Sequence, residues 1–279
     1  MANPAASSPE ILIHLRRTDA ITVAGTLGLA LAQRLGAWTC GLHVVPIAPV
    51  AFASPEAVAL YVNEADSLYR DALQREPMWR AQLDARGLAG EWRVSQGDIV
   101  ESLCHASRWS DLLVVERPQL NPDAPIGWGL VSRTVFGASA PVVVVPESVK
   151  SDAAGRHIAI AWNQSREAAL AIRGALPLLA RADRVHVLEG DPGENPLGLR
   201  FLPKLDLRAW LARRGIAAEF SPFVARKDHG AALLDAAHTM DADLIVMGAW
   251  GHSRIAELVL GGTTRHLFQH SDLPLLVAH

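Results

Sequence analysis

Lysine is scarce in this chain. Only Lys150, Lys204 and Lys227 occur, so nearly all of the positive charge is arginine. The formal net charge is −3, and no run of basic residues stands out. Nucleic acid and anionic membrane surfaces are held by clustered positive charge, so neither is an expected partner. Cysteine is rarer still: Cys40 and Cys104 stand alone, without CxxC spacing, which argues against a disulfide framework or a thiolate zinc site. Long apolar runs are missing too. The most apolar early stretch, ITVAGTLGLALA from Ile21 to Ala32, is shorter than the roughly 20 residues a membrane-crossing helix needs. The opening MANPAASSPE has no basic segment leading into an apolar core, so no secretion signal is read there and a cytoplasmic protein is expected.

What is present is a globular composition, half apolar, over 279 residues, a length that suggests two domains. The chain also repeats itself. SDLLVV from Ser110 matches ADLIVM from Ala242 at an offset of 132, which also aligns Arg133 with Arg265, Phe136 with Phe268 and Ser139 with Ser271. One further residue brings PVVVVP from Pro141 over PLLVAH from Pro274, and EILIHL from Glu10 agrees in kind with HIAIAW from His157. Two copies of one domain are expected, residues 1–148 and 156–279, joined by a polar linker at 149–155.

Within each copy short apolar runs alternate with segments of helical spacing. Examples are a long helical region from Ser54 to Gly87 and another, SREAALAIRGALPLLARA, from Ser165. That alternation predicts an α/β fold in which a mainly parallel five-stranded sheet is covered on both faces. Ligands of such doubly wound sheets sit beyond the carboxyl ends of the strands. ADLIVMG leads at that end into a glycine-bearing loop with Gly248, Gly251, Gly261 and Gly262, followed by Thr263 and Thr264 and a helix expected from about Thr264 to His270. Glycine exposes backbone N–H groups, and a helix start adds further unpaired donors and the positive end of its dipole. The P-loop pattern GxxxxGKS/T and its lysine are absent.

Gly-x-x-Gly, nine residues, then Gly closely resembles the nucleotide-binding motif of the universal stress protein family, and the resemblance extends to the flanking DADLIVMG and HSDLPLLV segments and to the duplication. The chain therefore looks like a tandem member with two adenine nucleotide alpha hydrolase-like domains. The resemblance implies a stress-response protein that binds ATP or a related adenine nucleotide, with or without Mg, over the strand ends. The residues carried over are Ala161, Asn163, Gly248, Gly251, Gly261, Gly262, Thr263 and Thr264. Asn163 stands where the family usually has Asp, and Gly262 where it usually has Ser or Thr. The same comparison implies association with a protein partner, and last strands that pair across a dimer axis, either within this chain as a pseudo-dimer or between two chains.

The first copy departs from the pattern. Glu116 and Gln119 replace Gly248 and Gly251, and its loop carries Pro118, Pro122 and Pro125, which lack N–H donors. Glu116 is expected to repel a phosphate, so nucleotide binding is expected in the second domain only. Elsewhere Asp98 and Asp228 read as helix N-caps. His266 and His270 are spaced like a metal pair but lack further ligands, and Trp162 and Trp250 read as packing residues beside the site. No nucleophile–base or carboxylate pair is recognisable, so at most slow ATP hydrolysis is expected. A scaffold binding a protein or another small ligand, its glycine loop kept for folding, is the alternative.

Overall fold

The computed structural model describes residues 8–47, 54–118, 129–149, 154–191, 203–225, 227–249 and 262–279. The apolar runs become strands β1 (Glu10–His14), β2 (Trp38–Pro46), β3 (Gly90–Gly97), β4 (Leu112–Arg117) and β5 (Val142–Pro146), then β6 (His157–Trp162), β7 (Arg184–Glu189), β8 (Glu219–Pro222), β9 (Leu244–Gly248) and β10 (Leu275–Ala278). They form one ten-stranded sheet in the order β3-β2-β1-β4-β5-β10-β9-β6-β7-β8. Each half is thus a five-stranded sheet of the same order, parallel throughout. The halves meet antiparallel, Val142 opposite Val277 and Leu275 opposite Val144. All four seam residues are buried, so the junction is continuous core.

Helices cover both faces, which explains why the central strands are apolar at every position rather than alternately. Against one face pack α1 (Val23–Leu35) and α6 (Arg166–Gly174), with the side chains of Ile13, Val114, Ile160 and Val246 between helix and sheet. Against the other pack α4 (Ile99–Ala106), α5 (Leu130–Gly137), α9 (His229–Thr239) and α10 (Gly262–His270), over Leu113, Val144, Ile245 and Val277. The expected N-caps are in place: Asp98 accepts from the Glu101 amide, and Asp228 from those of Gly230 and Ala231.

Two long helical expectations are broken by proline. The region from Ser54 divides into α2 (Pro55–Leu73) and α3 (Glu76–Asp84), with Pro77 in the first turn of α3. The segment after Ser165 divides into α6 and the short α7 (Leu176–Leu179), with Pro177 in its first turn. Proline lacks the N–H that would continue a helix but suits the first turn of a new one.

The repeated aspartate that opens SDLLVV and ADLIVM has a structural task. Asp111 accepts from the Glu10 amide at 2.8 Å. Asp243 accepts from the amides of Gly155, Arg156 and His157 at 2.8, 3.0 and 3.2 Å. Each carboxylate fastens the start of its half's first strand to the fourth. Burial pushes the Asp243 carboxyl above its ordinary range, and the three N–H groups pull it part of the way back.

Candidate functional site

Strand order reverses between β6 and β9, and that is where such sheets open a crevice. The chain leaves β6 through Asn163, Gln164 and Ser165 before α6 begins. Gln164 has φ 62°, a left-handed conformation that costs a side chain free energy. Two hydrogen bonds hold it: Asn163 Oδ1 accepts from the Ser165 amide at 3.2 Å, and Ser165 Oγ accepts from the Ala168 amide at 3.1 Å. The Asn163 oxygen accepts one bond from the turn, which leaves its second lone pair and its NH2 group to offer a ligand.

Beyond this turn lies a cleft of about 620 Å³, bordered by Ala161, Asn163, Gly248, Gly262, Thr263 and Thr264. These are the residues expected from the sequence. The remaining two, Gly251 and Gly261, lie outside the described residues, as does Trp250. Helix α10 is described from Gly262, and Gly262, Thr263 and Thr264 at that end border the cleft, where backbone N–H groups near a helix start suit an anion. Among the described residues, nothing lies within 4 Å of where a Cβ on Gly262 would stand. The opposite holds at Gly248, where a Cβ would meet the Ala168 nitrogen at 2.4 Å and the Glu167 carbonyl carbon at 2.6 Å. Gly248 is thus required by the seating of α6 on the sheet, a reason the loop pattern alone did not reveal.

The sequence reading missed Glu189 and Asp191, at and just beyond the carboxyl end of β7, and Phe223 and Val224 after β8, all of which border the cleft. The signal was present in VLEGD: two acidic residues directly following a strand. Their carboxylates give that end of the cleft the chemistry to accept hydrogen bonds from hydroxyl groups. Trp162 is buried in the core on the α6 side and also borders the cleft. His266 pairs with Asp228 at 2.9 Å, and its ring lies 4.6 Å from that of His270. The Ala231 N–H, joined by His266, holds the Asp228 carboxyl below its ordinary range. No cluster of three potential metal ligands occurs among the described residues.

The first half ends its strands differently. Register makes the halves superposable in sequence: Ile11 pairs with Leu112 as Ile158 pairs with Leu244. His14, Arg16 and Glu116 therefore occupy the positions of Ala161, Asn163 and Gly248. His14 is buried and its Nδ1 has no hydrogen-bond partner among the described residues. Burial, with smaller contributions from His43 and Arg16, lowers its pKa to about 4. Glu116 is also buried and takes a 3.0 Å ion pair from Arg16 while accepting from the Ala24 amide in the first turn of α1 at 3.5 Å. The Glu116 charge is thus matched within the first half.

Fold and cleft together define a doubly wound α/β protein with a strand-end binding crevice in its second half. Residues 155–279 match the model of the universal stress protein family, and this half of the chain belongs to that family. No curated protein matches the sequence. Among solved structures, the chain is similar to a universal stress protein from Archaeoglobus fulgidus DSM 4304, with 16% identity, 97% of this chain and 98% of that chain covered, and a TM-score of 0.70. It is also similar to a candidate universal stress protein from Pseudomonas aeruginosa UCBPP-PA14, with 16% identity, 98% and 93% covered, and a TM-score of 0.55. Both likenesses show the fold alone. A family protein from Arabidopsis thaliana with AMP bound is 15% identical, covers 52% of this chain with 97% of its own, and has a TM-score of 0.33, too low to carry an argument about this site. No described helix is long and apolar enough to cross a membrane.

Proposed function

We propose that this chain is a cytoplasmic stress-response protein whose second half binds ATP or a related adenine nucleotide, one per chain, and whose association with a protein partner follows occupancy. The observation that carries this is the convergence of the α10 N-terminus, Gly262 to Thr264, with the Asn163 turn on one cleft inside the family-matched segment. Backbone N–H groups of the first turn of α10 receive phosphate oxygens. Glu189 and Asp191, at the other border, accept hydrogen bonds from ribose hydroxyls. Mg would add charge neutralisation where a triphosphate is bound. The first half, residues 1–148, takes no nucleotide because Arg16 and Glu116 fill the equivalent strand ends. It supplies the sheet partner instead, with 149–155 as the join. No catalytic group is assigned.

A second reading has one observation in its favour: Gly248 is explained by packing against α6, as a scaffold that binds no nucleotide would also require. Calorimetric titration with ATP, AMP and adenosine separates the two. Binding of ATP or AMP more tightly than adenosine supports the nucleotide site, and absence of heat with all three at millimolar ligand rejects it.

A further inference from the structure

The guanidinium of Arg117, the last residue of β4 in the first half, reaches across the β5–β10 seam and donates to the carbonyl oxygens of Phe268 and Ser271 in the second half. These carbonyls lie at the carboxyl end of α10, the helix whose first turn borders the cleft. A helix end leaves carbonyls unpaired and carries the negative pole of the dipole, so a cation there satisfies both. Arg117 is half-buried. Burial lowers its pKa, while the nearby Asp272 raises it. Asp272 is held in turn by His238 of α9 at 2.8 Å.

The arrangement is one-sided. The register that equates Glu116 with Gly248 equates Arg117 with Ala249, so the second half offers no guanidinium from that position to the carboxyl end of α5. There the His279 ring meets Phe136 edge-on at 4.6 Å. The cross-seam guanidinium of Arg117 thus serves the helix that borders the cleft, and the residue at its counterpart position carries no charge.

We infer that Arg117 is a positioning residue for the second-half cleft: by clamping the carboxyl end of α10 it fixes the helix along its axis and holds Gly262, Thr263 and Thr264 at the cleft border. The first half thus contributes to a binding site it does not touch. This inference rests on the nucleotide reading for its ligand but not for its clamp.

The test uses the full chain with Arg117→Ala, Arg117→Lys and, as control, Arg34→Ala. Arg34 also donates across the halves, to the Arg181 carbonyl, but at the end of α1 and away from α10. Amide hydrogen exchange over residues 262–270 and ATP affinity are measured for each, with melting temperature alongside. The expected result is faster exchange in α10 and roughly tenfold weaker ATP binding for Arg117→Ala, partial recovery of both with Arg117→Lys, and unchanged affinity for Arg34→Ala despite its lost bond. Unchanged exchange in Arg117→Ala overturns the clamp. Unchanged affinity in that variant, or an equal loss in Arg34→Ala, overturns the positioning role. If the unmutated chain binds no ATP, the nucleotide reading fails, and the exchange data alone decide whether the clamp exists.

Discussion

The two halves of this chain share strand order, register and the aspartate that ties their first and fourth strands together, yet they finish those strands in opposite ways. Ala161, Asn163 and Gly248 are small or uncharged and leave a cleft. His14, Arg16 and Glu116 are bulky or charged and stand at the same positions, where Arg16 pairs with Glu116 and Glu116 accepts from the Ala24 amide of α1. Charge carried into such strand ends is matched within the half. The comparison also separates two duties of glycine that look alike in sequence. Gly248 makes room for a helix backbone, whereas a Cβ on Gly262 would meet none of the described residues.

The largest effect is expected from placing a carboxylate at the border of the second-half cleft. Gly262→Glu puts a carboxylate at the cleft end of α10, where a Cβ meets no described neighbour and acidic residues suit the helix dipole. Nucleotide affinity should fall at least ~100-fold, by charge repulsion and obstruction, while the melting temperature holds; calorimetry and thermal unfolding on one preparation check both.

Next comes pH. His14 has a folded pKa of about 4 against an ordinary 6.5, so on acidification the unfolded chain takes up the proton first. Stability from this group is complete above pH 6.5 and is lost as pH falls toward 4, by about 3 kcal/mol in all. Denaturant unfolding at several pH values should show this loss, and His14→Leu should remove that part of the slope. An identical pH dependence in the variant would contradict it.

Gly248→Ala comes third. The added Cβ presses on the α6 backbone, and overpacking of this kind costs about 1–3 kcal/mol, visible as a lower denaturation midpoint. A midpoint equal to that of the unmutated chain would mean that α6 yields without cost.

The smallest effect belongs to Glu116→Gln. It removes one charge from a pair whose arginine is partly exposed, so a stability loss of about 1 kcal/mol is expected. Nucleotide affinity should not change, because the proposed site lies in the other half.

Much of this was legible in the amino-acid sequence. The offset between SDLLVV and ADLIVM predicted the duplicated sheet, and glycine spacing with its flanking strand predicted that Gly248, Gly262, Thr263 and Thr264 border one crevice. What was not legible depended on contacts distant in sequence. Arg16 and Glu116 lie 100 residues apart, and only the β1–β4 register brings them together. Arg117 meets partners more than 150 residues away, across a seam whose geometry no local pattern encodes. Pro77 and Pro177 were present to be read, but apolar spacing carried through them and concealed the breaks. Glu189 and Asp191 were overlooked because attention fell on the glycine loop rather than on the neighbouring strand end.

The central claim, one open half and one closed half, is tested most directly by counting ligands. Native mass spectrometry of the full chain titrated with ATP should show a single bound nucleotide per chain at saturation, and none for Gly262→Glu under the same conditions. Two nucleotides per chain, or one retained by Gly262→Glu, would contradict the account.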